Sequence, residues 1–509
     1  MSRSNDDASE GSKSPSGSDF LQLDVGQAPP GGRTEWLAGR LRAAIADGTL
    51  PVGSRLPASR VLAAELRVSR GLVTEAYQRL AETGQVSGRG RGGTVVVAAP
   101  APAAAPSTAP ARGGLVDALR AVPCRIDLSP GVPDLAAFPR TAWLQAERRV
   151  LSALTPADFG YGNPQGASAL REAVVGWLAR NRGIRADPAE VVVVGGVAQA
   201  LALLAHVLRE EGGVHRVAVE DPGSLGARQQ LEYGRMETVP VPVDEAGLDV
   251  AALRASGAGA VLLTPAHQFP TGVVLDGERR RDLLGWAAAG GLVIEDDYDA
   301  EHRYDRAPVP ALRALLPEGV CYAGSVSKLL APALRLGWLL VPPRLLDAVT
   351  AAKRYADLGN PVLAQLVLAR LMDSGELERH LRHVRRRHRR RRDAMLRAVA
   401  ELLPGARVHG AAAGLHLMVT FDGAGFEDTA LASAALALGV KTHPLSWHRV
   451  RPGPPGLILG YAAGSAGEIE EGIATLATAL AGVDALPETG RKVFPERRQP
   501  PGGSRVVRG

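Results

Sequence analysis

The chain has 509 residues, too many for one ordinary core at about 150 residues per domain, so several domains are expected. Hydrophobic residues make up 46% and charged residues 22%, a composition that excludes a wholly disordered or fibrous chain. Aromatics are only 4% and the formal net charge is +6, which leaves few stacking platforms for single-stranded nucleic acid and makes the distribution of charge more informative than its sum.

Residues 1–32 are polar and rich in Gly, Pro and Ser, with no apolar run of the kind a signal peptide carries; a disordered tail is expected. The two cysteines, Cys124 and Cys321, are too few for a disulfide framework or a multi-cysteine metal site, so no metal and a reducing, cytoplasmic setting are expected. The most apolar stretch, Val191 to Leu208, is interrupted by Gly195, Gly196, Gln199 and His206. It reads as a buried strand, a glycine turn and a helix, and no membrane partner is expected.

Residues 33–97 form a small basic module, with ten arginines against five acids. Trp36, Leu37, Leu41 and Ile45 recur at helical spacing, Ser59 to Leu66 predicts a second helix, and Ser69 is an N-cap for a third running to Glu82. A glycine-rich tip, Gly88 to Gly93, then leads into a strand from Thr94 to Val97. A helix-turn-helix with a β wing suits duplex DNA. The third helix would present Ser69, Arg70, Gly71 and Thr74 to base edges, with Arg55 and Arg60 on phosphates and Arg89 and Arg91 at the wing tip. The alternating Ala/Pro stretch 98–114 predicts a semi-extended linker.

From residue 115 to 484 strands and helices alternate, the α/β pattern. Candidate strands are Val191–Val194, Arg216–Val219, Ala260–Leu263, Leu292–Glu295, Cys321–Ala323 and Trp338–Val341, and chemistry is expected in the loops at their carboxyl ends. The amides of Val197 and Ala198 open a helix and can hold a phosphate. His267 and Gln268 sit on a loop before Pro270-Thr271-Gly272, and Asp296 and Tyr298 lie two apart, on one face of an extended segment. Ser325, Ser327, Lys328 and Arg335 fall within eleven residues. A lysine among apolar residues can serve as an amine nucleophile, and the serines and arginine suit a phosphate dianion. Together the four loops supply a phosphate cup, an amine, a carboxylate for a ring nitrogen and a phenol, the constellation for pyridoxal 5′-phosphate.

The module's LPVGSRLPASRVLAAELRVSR and VTEAYQRL segments resemble the winged helix of the GntR family of bacterial regulators. Arg67 stands where that family usually has glycine, and Gly71 where a polar residue is common. Tyr161-Gly162-Asn163-Pro164-Gln165-Gly166 and the loops above resemble fold-type I aminotransferases. The whole therefore resembles the MocR subfamily, including its PdxR- and GabR-like members. The resemblance implies an N-terminal winged helix-turn-helix (α+β) linked to an α/β PLP-dependent transferase fold of type I, whose small C-terminal α+β domain starts at about residue 375. It implies Lys328 as the Schiff-base lysine, Asp296 on the pyridine nitrogen and Tyr298 on the 3′-oxygen, with His267 or Gln268 bordering that side. Ser325, Ser327, Arg335 and the Val197 and Ala198 amides would hold the phosphate. Ser224 stands where an aromatic usually stacks on the ring, and Arg449 and Arg451 are the nearest candidates for a substrate carboxylate.

The run Arg379–Arg392 predicts an amphipathic helix whose basic face is solvated, sits between subunits or adds a DNA contact, and residues 485–509 form a basic tail. The expected function is a homodimeric, head-to-tail transcription regulator that binds promoter DNA and senses pyridoxal phosphate or an amino compound condensed with it at Lys328. The alternative is a working aminotransferase with a DNA-binding appendage.

Overall fold

A computed structural model describes residues 21–88, 93–99, 122–304, 309–422 and 425–484. The chain divides into two units, 1–113 and 114–509. In the first, helices α1 (Arg33–Ala46), α2 (Ser59–Glu65) and α3 (Arg70–Glu82) precede an antiparallel wing of β1 (Val86–Gly88) and β2 (Thr94–Val96), paired Val86 to Val96. Leu37, Leu41 and Ile45 share one face of α1 and bury against Leu62, Val73, Ala76 and Leu80. Each such side chain contributes about 1.5–3 kcal/mol by leaving water. The expected cap is present: the Ser69 hydroxyl accepts from Leu72 N at 3.3 Å, worth about 1 kcal/mol. The wing-tip residues Arg89 and Arg91 and most of the Ala/Pro stretch lie outside the described residues.

The turn between α2 and α3 explains the sequence departure there. Arg67 has φ of +51°, a left-handed conformation that crowds a β-carbon and costs about 1–2 kcal/mol. Glycine fits that conformation without the clash.

The second unit is built on an eight-stranded sheet. Its strands are β4 (Val191–Val194), β5 (Arg216–Asp221), β6 (Glu237–Asp244), β7 (Gly247–Leu248), β8 (Ala260–Leu263), β9 (Leu292–Asp297), β10 (Val320–Ser325) and β11 (Gly337–Leu340). Their order is β4-β11-β10-β9-β8-β5-β6-β7. The predicted apolar runs are all strands, and β6 and β7 join them. β10, β9, β8, β5 and β6 pair in parallel. β11 runs against both its neighbours, so β4 points the same way as the parallel set. The stretch Val191 to Leu208 is β4, a glycine turn and the helix Val197–Glu210, as predicted. Among the described residues no helix is long and apolar enough to cross a membrane.

A long helix, Glu376–Leu402, leads into a four-stranded antiparallel sheet, β12 (Ala406–His409), β13 (His416–Phe421), β16 (Gly456–Gly460) and β15 (His443–Pro444), backed by the helix Ala466–Asp484. β3 (Ile126–Asp127) crosses to pair with β14 (Val440–Lys441) in this smaller part.

Replacing Arg67 by glycine should raise the stability of the α2–α3 region by about 0.5–1 kcal/mol, the left-handed penalty less the added chain entropy of glycine. Hydrogen exchange of the α3 amides in the full chain measures it. Unchanged or faster opening would show that the turn carries no such cost.

Candidate functional site

Because β4, β5, β8, β9 and β10 share one direction, their carboxyl ends meet on one edge of the sheet. The reversal of β11 brings its amino end to that same edge, with Gly337 opposite Val194 and Arg335 two residues before it. Loops from five strands thus converge, and Arg335 joins them by virtue of a single antiparallel strand.

Lys328 follows β10. Its Nζ donates to the Gly131 carbonyl. Gly131 has φ of +76°, a left-handed conformation that favours glycine, and a β-carbon there would crowd the amine at 3.1 Å from Nζ. The Ser325 hydroxyl accepts from Ser327 N at 3.4 Å.

Gly196 caps the helix Val197–Glu210 with φ of +95°. Gln199 and Ala200 direct their N–H groups to the Gly196 carbonyl, which leaves the Val197 and Ala198 amides as first-turn donors. The Arg335 guanidinium stands over this turn, 3.6 Å from where a Gly196 β-carbon would lie. Arg335 itself is left-handed, at φ of +50°, and its carbonyl accepts from the Asn360 amide at 3.2 Å. Gln199 ties the turn down: it accepts from Gly195 N at 2.6 Å and donates to Asp357, which Lys353 neutralises at 2.6 Å.

The acids at the end of β9 divide by role. Glu295 accepts the Leu312 and Arg313 amides at 3.1 Å each. Asp297 forms a fully buried ion pair with Arg182 and also accepts from the Tyr322 hydroxyl. Only Asp296, between them, faces the site, and its Oδ1 is buried with no partner among the described residues. Burial, with Asp297 and Asp299 nearby, pushes its carboxyl up to about 7, although Lys328 opposes the shift.

Tyr298 is backed by His267 and, behind it, by Asp299, an acid that the motif reading did not single out. His267 Nδ1 lies 3.0 Å from both the Tyr298 hydroxyl and the Asp299 carboxylate. Gly414 presses on the ring, since a β-carbon there would come within 2.1 Å of His267 Cε1. The structure separates the two residues left open on this loop. His267 braces Tyr298. Gln268 braces the loop, donating to the Pro222 and Phe269 carbonyls and accepting from Thr271 N and Oγ1, so its amide is not open to a ligand. Asp299 had a signal in the sequence, as the next acid on the same alternation as Asp297; Gly131 had none, because only the fold brings it to the lysine.

Ser224 caps the helix Leu225–Tyr233, accepting from Ala227 N at 3.3 Å. It borders a small cleft with Glu220, Arg228, Thr264 and Asp296, where an aromatic ring is lacking. The carboxyl of Glu220, raised to about 7 by burial against the pull of its Thr264 hydrogen bonds, is a second acid at this edge.

Arg449 and Arg451 are not brought to the cluster. Arg449 folds back on its own loop to donate to the Pro454 carbonyl at 2.5 Å, and Arg451 reaches Pro240 at 3.4 Å. The loop contributes its backbone instead, with Asp221 accepting the Val450 and Arg451 amides. The predicted solvated arginine face is also only half present. Arg387 and Arg391 both bind Asp134, Arg385 donates to the Glu301 carbonyl, and Arg392 donates to Ala411 while lying over Tyr304. These heads turn inward because the helix is packed on both sides of its axis by body and small domain.

The sequence matches the family model for aminotransferase class I and II over residues 125–476 and that for bacterial regulatory proteins of the gntR family over residues 33–96. The probable rhizopine catabolism regulatory protein MocR of Rhizobium meliloti is 32% identical over 465 residues, covering 88% of this chain and 93% of that protein. The HTH-type pyridoxine biosynthesis transcriptional regulator PdxR of Corynebacterium glutamicum is 35% identical over 394 residues, covering 76% and 83%. The structure of Pyrococcus horikoshii kynurenine aminotransferase in complex with PMP superposes with a TM-score of 0.66 at 28% identity, covering 72% of this chain and 93% of that one. Fold and matches define a GntR-type winged helix joined to a fold-type I aminotransferase body. The chain belongs to the transcription regulators of the MocR type.

In the ligand-free protein, the folded Asp296 keeps its proton to about pH 7, whereas the unfolded chain releases it near 4. Its contribution to stability is therefore present below that window and lost as pH rises through about 7. Asp296→Asn should show a smaller loss of stability than the parent between about pH 5 and about pH 8, read by chemical denaturation. An unchanged difference would mean that Asp296 is already ionised in the fold.

Proposed function

We propose that this protein is a DNA-binding regulator whose aminotransferase-like body holds pyridoxal 5′-phosphate and senses that cofactor or an amino compound reacting with it. One observation carries the reading: Lys328, Asp296, Tyr298 and Arg335 converge on one sheet edge in a chain that also carries a winged helix. The fit to the cofactor rests on two features. The buried, unpartnered Asp296 Oδ1 suits a protonated ring nitrogen, which would hold the carboxyl in its charged form. The Gly195–Gly196 turn under the Arg335 guanidinium suits a phosphate dianion. Val197, Ala198, Ser325 and Ser327 complete that end.

When bound, the cofactor supplies an aldehyde that condenses with amines. Lys328 Nζ is the chain's own amine for it, and a free amino compound competes with Lys328. Tyr298 is the hydroxyl for the ring oxygen, and His267 and Asp299 hold it in place.

Coupling to DNA is proposed as a population shift. Its support is how closely small-domain loops pack on site loops. Gly223 N donates to the His448 carbonyl at 2.8 Å, and Phe269 lies 5.0 Å from His416 and 5.1 Å from His448, ring to ring. Exchange at Lys328 moves the small domain or alters a head-to-tail homodimer, and so repositions a pair of winged helices. An apolar surface supports the dimer: Tyr161 is 96% and Tyr355 88% exposed, with Phe159 and Leu358 also bare. In the winged helix Ser69, Arg70, Gly71 and Thr74 form an exposed face of α3, and Arg55 and Arg60 are exposed beside it, as readout and phosphate contacts require. Arg89 and Arg91 are proposed for the wing tip.

The retained cofactor cluster favours a second reading, a working aminotransferase with a DNA-binding appendage. Ser224 and the engagement of Arg449 and Arg451 elsewhere weigh against it. Sustained multiple-turnover transamination would make it the better one.

Lys328→Ala should abolish the visible absorbance band that appears when the purified protein is loaded with pyridoxal phosphate, and a parent protein without any band would refute the cofactor. Arg70→Ala should weaken binding to the DNA upstream of the protein's own gene by about 1–3 kcal/mol, measured by fluorescence anisotropy. Parent binding that depends on salt but not on sequence would overturn the regulator reading.

A further inference from the structure

We infer that the bare side of the long helix, formed by Arg382, Arg386, Arg389 and Arg390, is a second contact for duplex DNA, made by the aminotransferase-like body on its phosphate backbone. The inference rests on the reading that this chain binds DNA. It begins from the division of the arginine run. Leu377, Leu381, Val384, His388 and Met395 bury one side of the helix. Arg385, Arg387, Arg391 and Arg392 are spent on carbonyls and on Asp134, and Arg379 pairs with Glu376.

The other four are exposed and take part in no hydrogen bond or ion pair among the described residues. Spaced four, three and one apart, they share one face. No acid lies between Arg379 and Arg392, so no interleaved charge relieves them. Like charges four apart on a helix repel and weaken it. A face that only kept the protein soluble would be served better by mixed signs. An external anion removes the repulsion.

Three features select duplex DNA as that anion. The ridge from Arg382 to Arg390 is about 12 Å long, over which one strand of B-DNA presents three or four phosphates at about 3.4 Å each. Guanidinium forks match phosphate oxygens in pairs. Apart from His383, the outward face carries no aromatic or apolar side chain between Arg379 and Arg390, so it lacks both the row of stacking platforms of a single-strand binder and the apolar side of a membrane-surface helix. The inner anchors hold the ridge rigid, so binding needs little ordering of the backbone.

The test compares the full-length protein with R382Q/R386Q/R389Q/R390Q, using a duplex from immediately upstream of its own gene and a scrambled duplex of equal length. Affinities are measured across salt. Each phosphate contact contributes about 0.9 to the slope of log affinity against log salt. With all four lost, the affinity drop between about 50 and about 200 mM salt should shrink by roughly 100-fold. Both duplexes should weaken alike, so that the ratio between them holds. A control, R281Q/R407Q, removes two exposed arginines elsewhere and should leave the slope unchanged. Thermal unfolding matching the parent shows that the quadruple variant is folded. An unchanged slope overturns the inference, as does an equal effect per arginine in the control, which would reveal a net-charge effect. A changed oligomeric state with an unchanged slope would assign the ridge to contact between copies and likewise overturn it. If the parent binds both duplexes equally, the regulator reading fails while the slope still decides the ridge, and if it binds neither, the DNA reading and the ridge fail together.

Discussion

Everything at the candidate site follows from strand direction. Six strands point one way, so their following loops must gather at one edge, and β11, inserted in reverse between β4 and β10, returns the chain to that edge. Without the reversal, Arg335 would leave the sheet at the opposite side from Lys328. With it, a guanidinium, a helix start and an amine stand together although the sequence separates them by as much as 138 positions, from Val197 to Arg335. The apolar, doubly covered strands make this geometry stiff, since closely packed interiors resist small displacements.

That edge concentrates acid that the fold must tolerate. Glu220, Glu295, Asp296 and Glu301 are each raised by burial to about 7. The interior answers in two ways. Arg182 neutralises Asp297 at 2.5 Å, a pair whose worth lies in not leaving either charge alone in a low dielectric. Backbone amides serve Glu295. Asp296 receives neither, and this is what distinguishes it from its neighbours on the same strand end: a buried carboxylate without a partner is costly in the fold, and its lack of one is intelligible if a ligand cation completes it.

Much of the site was legible in the sequence, and for a reason. Loops after short apolar runs are short and local, so Asp296 and Tyr298, or Ser325 and Lys328, are tied to one another by spacing alone. The winged helix was legible likewise, since Ser69 caps a helix whose apolar positions recur at the expected interval. What failed did so where long-range packing decides. Arg449 and Arg451 lie on a loop of the small domain, yet that loop turns its backbone, and not their guanidiniums, toward Asp221. Gln268 and His267 are adjacent and equally polar, but the loop consumes one amide and leaves the other ring against Tyr298.

By itself, then, the sequence determined the two-part architecture, the elements and the candidate residues for the cofactor, because periodicity, caps and glycine turns act over a few residues. Only the tertiary structure decided which acid faces the site, which glycine admits the lysine, and which half of an arginine run stays outside. Those outcomes depend on partners brought from far along the chain, such as Arg182 for Asp297, Gly131 for Lys328 and Asp134 for Arg391, and a charge or an amine finds its role only once the fold has chosen its neighbour.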